Sequence, residues 1–401
     1  MYEIGKDVYP VTRVTKPLRI LFLISADDLC DGIARHILSL AGNLKNNMDV
    51  GVCITHKPGE LSAALTAIGV KVYNLHVPHG HDPHIPCRFK KVLNDFRPDI
   101  IHGHVISFYV GLYLGLFSRQ IPLIVTIHGF GDAVKKYQPV AYRIINWVCS
   151  PILNRRIAKT IIISTPVKKW IDAHARPGHK ETVVCYNPIT LNEMPRKDNE
   201  WLRRELRIPS DVCLIGMAGR MAEQKDWFSF IKICACLHAR QNCHFIAIGD
   251  GFLLPKLQQE VARLQLNDRF HWLGYRLDAR RIIGALDLYL ITSVWEGMPT
   301  VLLEAFAMRT PVVGFVSPGG VEEVFAMQAD FGRVACLIQE RDCQRVADQV
   351  VQLLKDVEAK EALVERAYRL VQSRFDTPIV CAQLAAIYRE VLENTGRKET
   401  P

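Results

Sequence analysis

The chain has 401 residues, 49% hydrophobic and 23% charged, which excludes a disordered polymer and exceeds what one hydrophobic core usually serves. Its formal charge of +9 lies wholly in the first half: residues 1–195 hold 23 Lys and Arg against 14 Asp and Glu, residues 196–401 hold 27 of each. No apolar run reaches the roughly 18 residues that a membrane span needs, and Met1–Lys16 has no apolar stretch before a cleavage site, so a cytoplasmic protein is expected.

In chain order, apolar β-type runs fall at Leu18–Ile24, Val50–Ile54, Val70–Asn74, Ile100–His102, Leu123–Ile127, Thr160–Ile163 and Thr182–Cys185. Helical periodicity separates them, as at Ile33–Lys45 and Val140–Ile157, and the alternation predicts a parallel sheet covered on both faces. The pattern pauses over Tyr186–Pro209, which carries three prolines and many charges. It restarts with strands at Cys213–Ala218, His244–Ile248, Phe270–Leu273, Leu288–Ile291, Pro311–Phe315 and Arg333–Cys336. Helices at Arg341–Leu354, Ala359–Arg374 and Ile379–Glu393 close the chain. The expectation is two doubly wound α/β domains, residues 1–190 and 191–401, with a ligand cleft at the carboxyl ends of their strands. No G-x-G-x-x-G follows either first strand, which argues against NAD or FAD, and Gly249-Asp250-Gly251 is too short to be that fingerprint.

Twelve cysteines are scattered through apolar segments with no C-x-x-C pair, so they read as buried reduced thiols. The basic first half can attract phosphorylated ligands or anionic lipid, or be an ordinary solvated surface; no nucleic-acid motif accompanies it. Lys135–Lys159 is basic and amphipathic, with Tyr142, Ile145, Trp147 and Val148 among Arg143, Arg155 and Arg156. It either lies on a membrane and brings in a lipid-linked acceptor, or packs on its own sheet. His76, His79, His81 and His84 have no second cluster of carboxylates or thiols to support a metal site; a loop over the acceptor side is the favoured reading and metal binding the lesser alternative, and no metal is expected. His102 and His104 alternate on one strand and either line the cleft or are buried and hydrogen-bonded.

The most informative stretch is Ser293–Val324, SVWEGMPTVLLEAFAMRTPVVGFVSPGGVEEV. A strand runs into a turn at Glu296-Gly297-Met298-Pro299, and a helix is predicted from about Thr300, with Pro299 at its entry. The free amides of Thr300 and Val301, aided by the helix dipole, suit a phosphate. Glu296 and Glu304 border the same place, and carboxylates beside a phosphate are costly unless they accept bonds from sugar hydroxyls.

This stretch resembles the signature of the family-4 retaining glycosyltransferases of the GT-B fold, in which two Rossmann-like domains face each other across a cleft. The resemblance extends through GRMAEQKD (Gly219 to Asp226), AIGDGFLL (Ala247 to Leu254) and FHWLGY (Phe270 to Tyr275). In the first half DIIHGH, TIHGF and CYNPI are also similar to the family's segments. The resemblance implies a nucleotide-sugar donor held mainly by the second domain, more often UDP than GDP, and a C-terminal helix returning to the first. Arg220 and Lys225 would grip the diphosphate, whose charge grows as the sugar leaves. Glu304 would accept the ribose hydroxyls and Glu296 those of the transferred sugar. Amides near Met298, Thr300 and Val301 would cradle phosphate and sugar, with one donor lost because Pro299 stands where relatives have Gly. Tyr275 and Arg276 would border the nucleobase, and His128 would orient the reacting sugar. Gly32 would lie against the diphosphate; Asp31 stands where many relatives have another glycine, and Ala34 where many have Glu.

The resemblance further implies transfer of a hexosyl or N-acetylhexosaminyl unit with retention, the leaving phosphate taking the acceptor's proton, with no enzymic nucleophile, cofactor or divalent ion. The acceptor would be a glycan, a lipid-linked sugar or a small molecule. A nucleotide-sugar 2-epimerase of the same fold and a non-catalytic nucleotide-sugar-binding protein are the competing readings.

Overall fold

The computed structural model describes residues 17–395, apart from 26, 28, 30–31, 56–57, 77–81, 83, 105–109, 112, 115–117, 119, 130–154, 175–181 and 196–197. Its first sheet comprises β1 (Arg19–Ile24), β2 (Asp49–Ile54), β3 (Lys71–Asn74), β4 (Ile100–His104), β5 (Leu123–Ile127), β6 (Ile157–Ile162) and β7 (Thr182–Val184). All pairs are parallel, in the order β3-β2-β1-β4-β5-β6-β7. A parallel sheet is covered on both faces, which is why β1 reads as one apolar run, RILFLI. Ile20, Phe22 and Ile24 enter one core, Leu21 and Leu23 the other. Helices α1 (Gly32–Leu44) and α2 (Glu60–Ala67) cover the first, and α3 (Ile85–Phe96) the second. The strand order reverses between β1 and β4, and α1 begins beside that reversal, where such sheets hold ligands.

Helix α4 (Thr165–His174) lies between β6 and β7. The second sheet follows α5 (Glu200–Leu206) and consists of β8 (Cys213–Ala218), β9 (Cys243–Ile248), β10 (Phe270–Trp272), β11 (Leu288–Ile291), β12 (Val312–Phe315) and β13 (Cys336–Ile338). It too is parallel, in the order β10-β9-β8-β11-β12-β13. On one face pack α6 (Trp227–His238), α7 (Leu254–Arg263) and α11 (Cys343–Lys355). On the other pack α8 (Ala279–Ala285), α9 (Thr300–Ala307), α10 (Gly320–Phe331) and α12 (Val357–Arg374).

The last helix, α13 (Thr377–Asn394), crosses back. Its Val380, Leu384, Tyr388 and Val391 share the core of Ile20 and Phe22, and Lys159 pairs with Glu390 at 2.7 Å. The outgoing and returning chains are tied where they cross: Ile189 N–H donates to the Phe375 carbonyl at 2.7 Å and Thr377 N–H to the Ile189 carbonyl at 3.0 Å. A second contact between the lobes centres on Glu323 of α10, which accepts from Thr165 N–H at 2.7 Å, Thr165 Oγ1 at 2.6 Å and Tyr186 OH at 2.7 Å. The carboxylate thus caps a helix of the opposite lobe.

Several boundaries differ from the sequence reading, and β6 begins at Ile157 rather than Thr160. The last strand begins at Cys336 rather than Arg333, and α11 begins after Asp342, whose carboxylate accepts from the amides of Gln344 and Arg345. Most of the helix expected at Val140–Ile157 lies outside the described residues, and Ile157 opens β6. Among the described residues no helix is long and apolar enough to cross a membrane.

Candidate active site

The site is built from loops at the carboxyl ends of neighbouring strands. After β8 comes Gly219, at φ 149°, and its loop interlocks with the loop after β9. A Cβ on Gly249 would lie 2.1 Å from the Gly219 carbonyl oxygen, and one on Gly251 would lie 2.5 Å from that of Met221. Glycine is the residue that permits both the positive φ and this approach. The chain then makes one 3₁₀ turn, Glu223–Lys225, and Asp226, at φ 47°, caps α6 by accepting from Ser229 N–H and Oγ. Thr292 Oγ1, beyond β11, reaches the carbonyls of Lys225 and Asp226 at 2.9 and 3.0 Å. Arg341 donates to the Thr292 and Ser293 carbonyls at 2.7 and 3.1 Å and also to the Asp226 carboxylate.

Those bonds set Lys225 against Glu296. Its Nζ is 2.5 Å from Glu296 Oε1, which also accepts from Ser293 Oγ at 2.6 Å. The two side chains are 15% and 7% exposed, so this is a nearly buried ion pair that costs desolvation and survives because each charge is matched. The Glu296 backbone is pinned as well, its N–H to Pro318 and its carbonyl to Gly320. Arg220 is different: it is exposed, and its guanidinium makes no bond or ion pair among the described residues. One cation is therefore neutralised in place, while the guanidinium of the other has no partner among the described residues.

Met298 is buried, and Pro299 is the N-cap of α9 at φ −76°, ψ 92°. The Pro299 carbonyl takes the Leu302 N–H at 3.0 Å, so the half-exposed Thr300 and Val301 present the leading amides of the helix. Glu304 is buried one turn on and pairs with Arg280 at 2.8 Å. Tyr275 is 40% exposed beyond β10. Arg276 is engaged by Asp278 at 2.7 Å and Glu205 at 2.8 Å, so its side chain is already occupied.

The first lobe contributes the opposite wall. A Cβ on Gly297 would lie 2.3 Å from the His128 carbonyl oxygen, so the turn before α9 touches the loop after β5. His128 sits in a group with His36 of α1 and His102 and His104 of β4. His104 Nδ1 and His128 Nε2 are 2.9 Å apart, while His102 bonds Tyr388 OH and Thr126 Oγ1, each at 2.7 Å. Burial depresses the pKa of His128 to about 4 and that of His102 to about 3; the charge of His128 adds to the latter. His36 and His104 are driven well below 6.5 by burial and then by their neighbours. All four rings are neutral at pH 7, able to exchange hydrogen bonds but not to act as standing cations.

Gly32 opens α1 and is exposed, and a Cβ there would meet nothing within 4 Å. Of the histidine-rich loop, His79 and His81 lie outside the described residues, as do Asp31 and most of the basic segment 135–159. The ten described cysteines are unbridged. Arg341, Arg280 and His36 were not singled out from sequence, because nothing in their local pattern distinguishes them from ordinary helix and loop residues.

Residues 213–356 match the family described as glycosyl transferases group 1, and residues 30–193 match glycosyltransferase family 4. The chain is 24% identical over 336 residues to N-acetyl-alpha-D-glucosaminyl L-malate synthase of Bacillus anthracis, covering 82% of this chain and 84% of that one. It is 25% identical over 232 residues to the UDP-Gal:alpha-D-GlcNAc-diphosphoundecaprenol alpha-1,3-galactosyltransferase of Escherichia coli, covering 56% of this chain and 59% of that one. Among solved structures, Anabaena Alr3699/HepE in complex with UDP and glucose superposes with a TM-score of 0.76 at 20% identity, covering 93% of this chain and all of that one. That likeness carries the two-domain GT-B fold.

Proposed function

The chain belongs to the group 1, family-4 glycosyltransferases, and from that premise we propose that it moves a hexosyl or N-acetylhexosaminyl unit from a UDP-sugar to a sugar-bearing acceptor with retention. The observation that carries this reading is the exposed Arg220 beside the Lys225–Glu296 pair, at the ends of adjacent strands β8 and β11, with the start of α9 following. A diphosphate entering there meets Arg220 and the Thr300 and Val301 amides, and can draw Lys225 from Glu296. That exchange would free the Glu296 carboxylate for sugar hydroxyls, so donor binding and sugar orientation become one event. Charge growing on the leaving diphosphate is stabilised by both cations in place.

In this reading residues 1–190 hold the acceptor and residues 191–401 hold the donor. Glu304 accepts the ribose hydroxyls, Met298 shapes the sugar seat, the backbone near Tyr275 and Arg276 borders the base, and Gly32 leaves room beside the diphosphate. His128, neutral, accepts from or donates to the reacting sugar. The leaving phosphate takes the acceptor's proton on the face from which the sugar departs, which supports retention without an enzymic nucleophile. UDP is favoured over GDP by the UDP-Gal in the name of the Escherichia coli relative and by the UDP bound to the Anabaena protein. The former's diphosphoundecaprenol acceptor supports a lipid-linked acceptor and peripheral membrane contact through the basic first half.

Melting the protein against a panel of nucleotide sugars tests the donor: a UDP-sugar should raise the Tm, since a ligand held by the native state stabilises it. A shift with GDP-sugars alone would reverse the base assignment. Incubation without acceptor should leave the donor unchanged; epimerised donor would make the protein an isomerase. Turnover should persist in EDTA, because Arg220, Lys225 and the helix start supply the positive charge; loss restored by a divalent ion would refute that role. Binding to anionic vesicles that salt reverses would support the membrane contact, and its absence at low salt would remove it.

A further inference from the structure

His36, His104 and His128 come from three elements that only the fold brings together, and their ring centroids form a triangle with all three sides 5.1 Å. One ring nitrogen from each lies within 4.8 Å of the other two. A tetrahedral zinc ion about 2.1 Å from each of three imidazole nitrogens, with each centroid about 1.2 Å farther back, separates the centroids by about 5 Å. His36 Nδ1 and His104 Nε2 are buried with no hydrogen-bond partner, a state that few buried polar atoms tolerate without cause. We propose that His36, His104 and His128 form a binding site for a zinc-class transition-metal ion in the wall of the cleft.

The donor set decides the metal class. Three imidazole nitrogens without a carboxylate suit zinc, cobalt, nickel or copper, whereas magnesium and calcium require oxygen ligands. Three protein ligands leave a fourth position for water or a substrate oxygen. The proposed grip on the diphosphate uses Arg220, Lys225 and the helix start rather than this ion, so the site does not conflict with turnover in EDTA. Occupation commits a nitrogen of His128, which the proposed function turns toward the sugar; the expectation of inhibition, unlike that of binding, rests on that reading.

The test uses the full metal-free chain titrated with Co²⁺, followed by visible absorption, and with Zn²⁺, followed by calorimetry. One equivalent should bind, with the intense absorption of four-coordinate cobalt. His36→Gln and His104→Gln should each weaken binding by roughly tenfold or more, whereas His76→Ala with His84→Ala, in the histidine-rich loop, should leave it unchanged. Should either Gln variant fail to fold, X-ray absorption of the zinc-loaded wild-type chain reads the same point as a shell of three imidazoles. No stoichiometric binding, binding that survives both Gln variants, or binding lost with His76 and His84 overturns the site. One equivalent of Zn²⁺ should lower turnover reversibly. Binding through these three residues without inhibition upholds the site and overturns instead the role given to His128.

Discussion

Lys225 and Glu296 hold each other nearly out of water, so each single substitution strands a charge. Lys225→Ala should lower stability by about 3 kcal/mol, together with turnover. Lys225→Met with Glu296→Gln should recover most of that stability and none of the activity; recovery of activity would dissociate the pair from catalysis. The Arg220 side chain is exposed and its guanidinium unpartnered among the described residues, so Arg220→Ala should leave the Tm unchanged while lowering kcat by about a hundredfold. Unimpaired turnover would remove Arg220 from the diphosphate site. Glu304→Ala should chiefly raise the donor KM, and an unchanged KM would count against ribose contact.

Interlocked loops carry these residues, and two glycines separate the loops' contributions. Gly249→Ala forces a Cβ to 2.1 Å from the Gly219 carbonyl at φ 133°, a clash inside one lobe. It should cost a few kcal/mol of stability, seen as a lower Tm. A Cβ on Gly297 would lie 2.3 Å from the His128 carbonyl oxygen of the opposite lobe. The collision in Gly297→Ala can therefore be relieved by the lobes parting: turnover should fall with little change in Tm, and a larger radius of gyration in solution scattering would record the opening. A Tm loss equal to that of Gly249→Ala would mean that the lobes cannot separate there. Arg341 shows how far the support extends, since from the loop after β13 it braces both the segment carrying Lys225 and the one carrying Glu296.

At the scale of the molecule, α13 makes the first lobe depend on the last 18-residue helix. Tyr388 is wholly buried and bonds His102 at 2.7 Å, so Tyr388→Phe should cost about 1 kcal/mol by leaving a buried ring nitrogen unmet. A chain ending before Thr377 would expose the face that Val380, Leu384 and Val391 cover, and should lose the cooperative melting of its first lobe.

The sequence alone determined that there are two doubly wound sheets, because strands covered on both faces must be continuous apolar runs separated by amphipathic helices. It also determined the family, because the turn from Glu296 to Pro299 and the glycines after β8 and β9 are local requirements written in adjacent residues. Only the tertiary structure decided that Lys225 faces Glu296, that Arg280 faces Glu304, and that Arg276 is already engaged. The first two pairs join residues 71 and 24 positions apart, and a charge carries no mark of its partner until the chain is packed. The same holds for His36, which resembles any helix residue until α1 sets its ring 5.1 Å from those of His104 and His128.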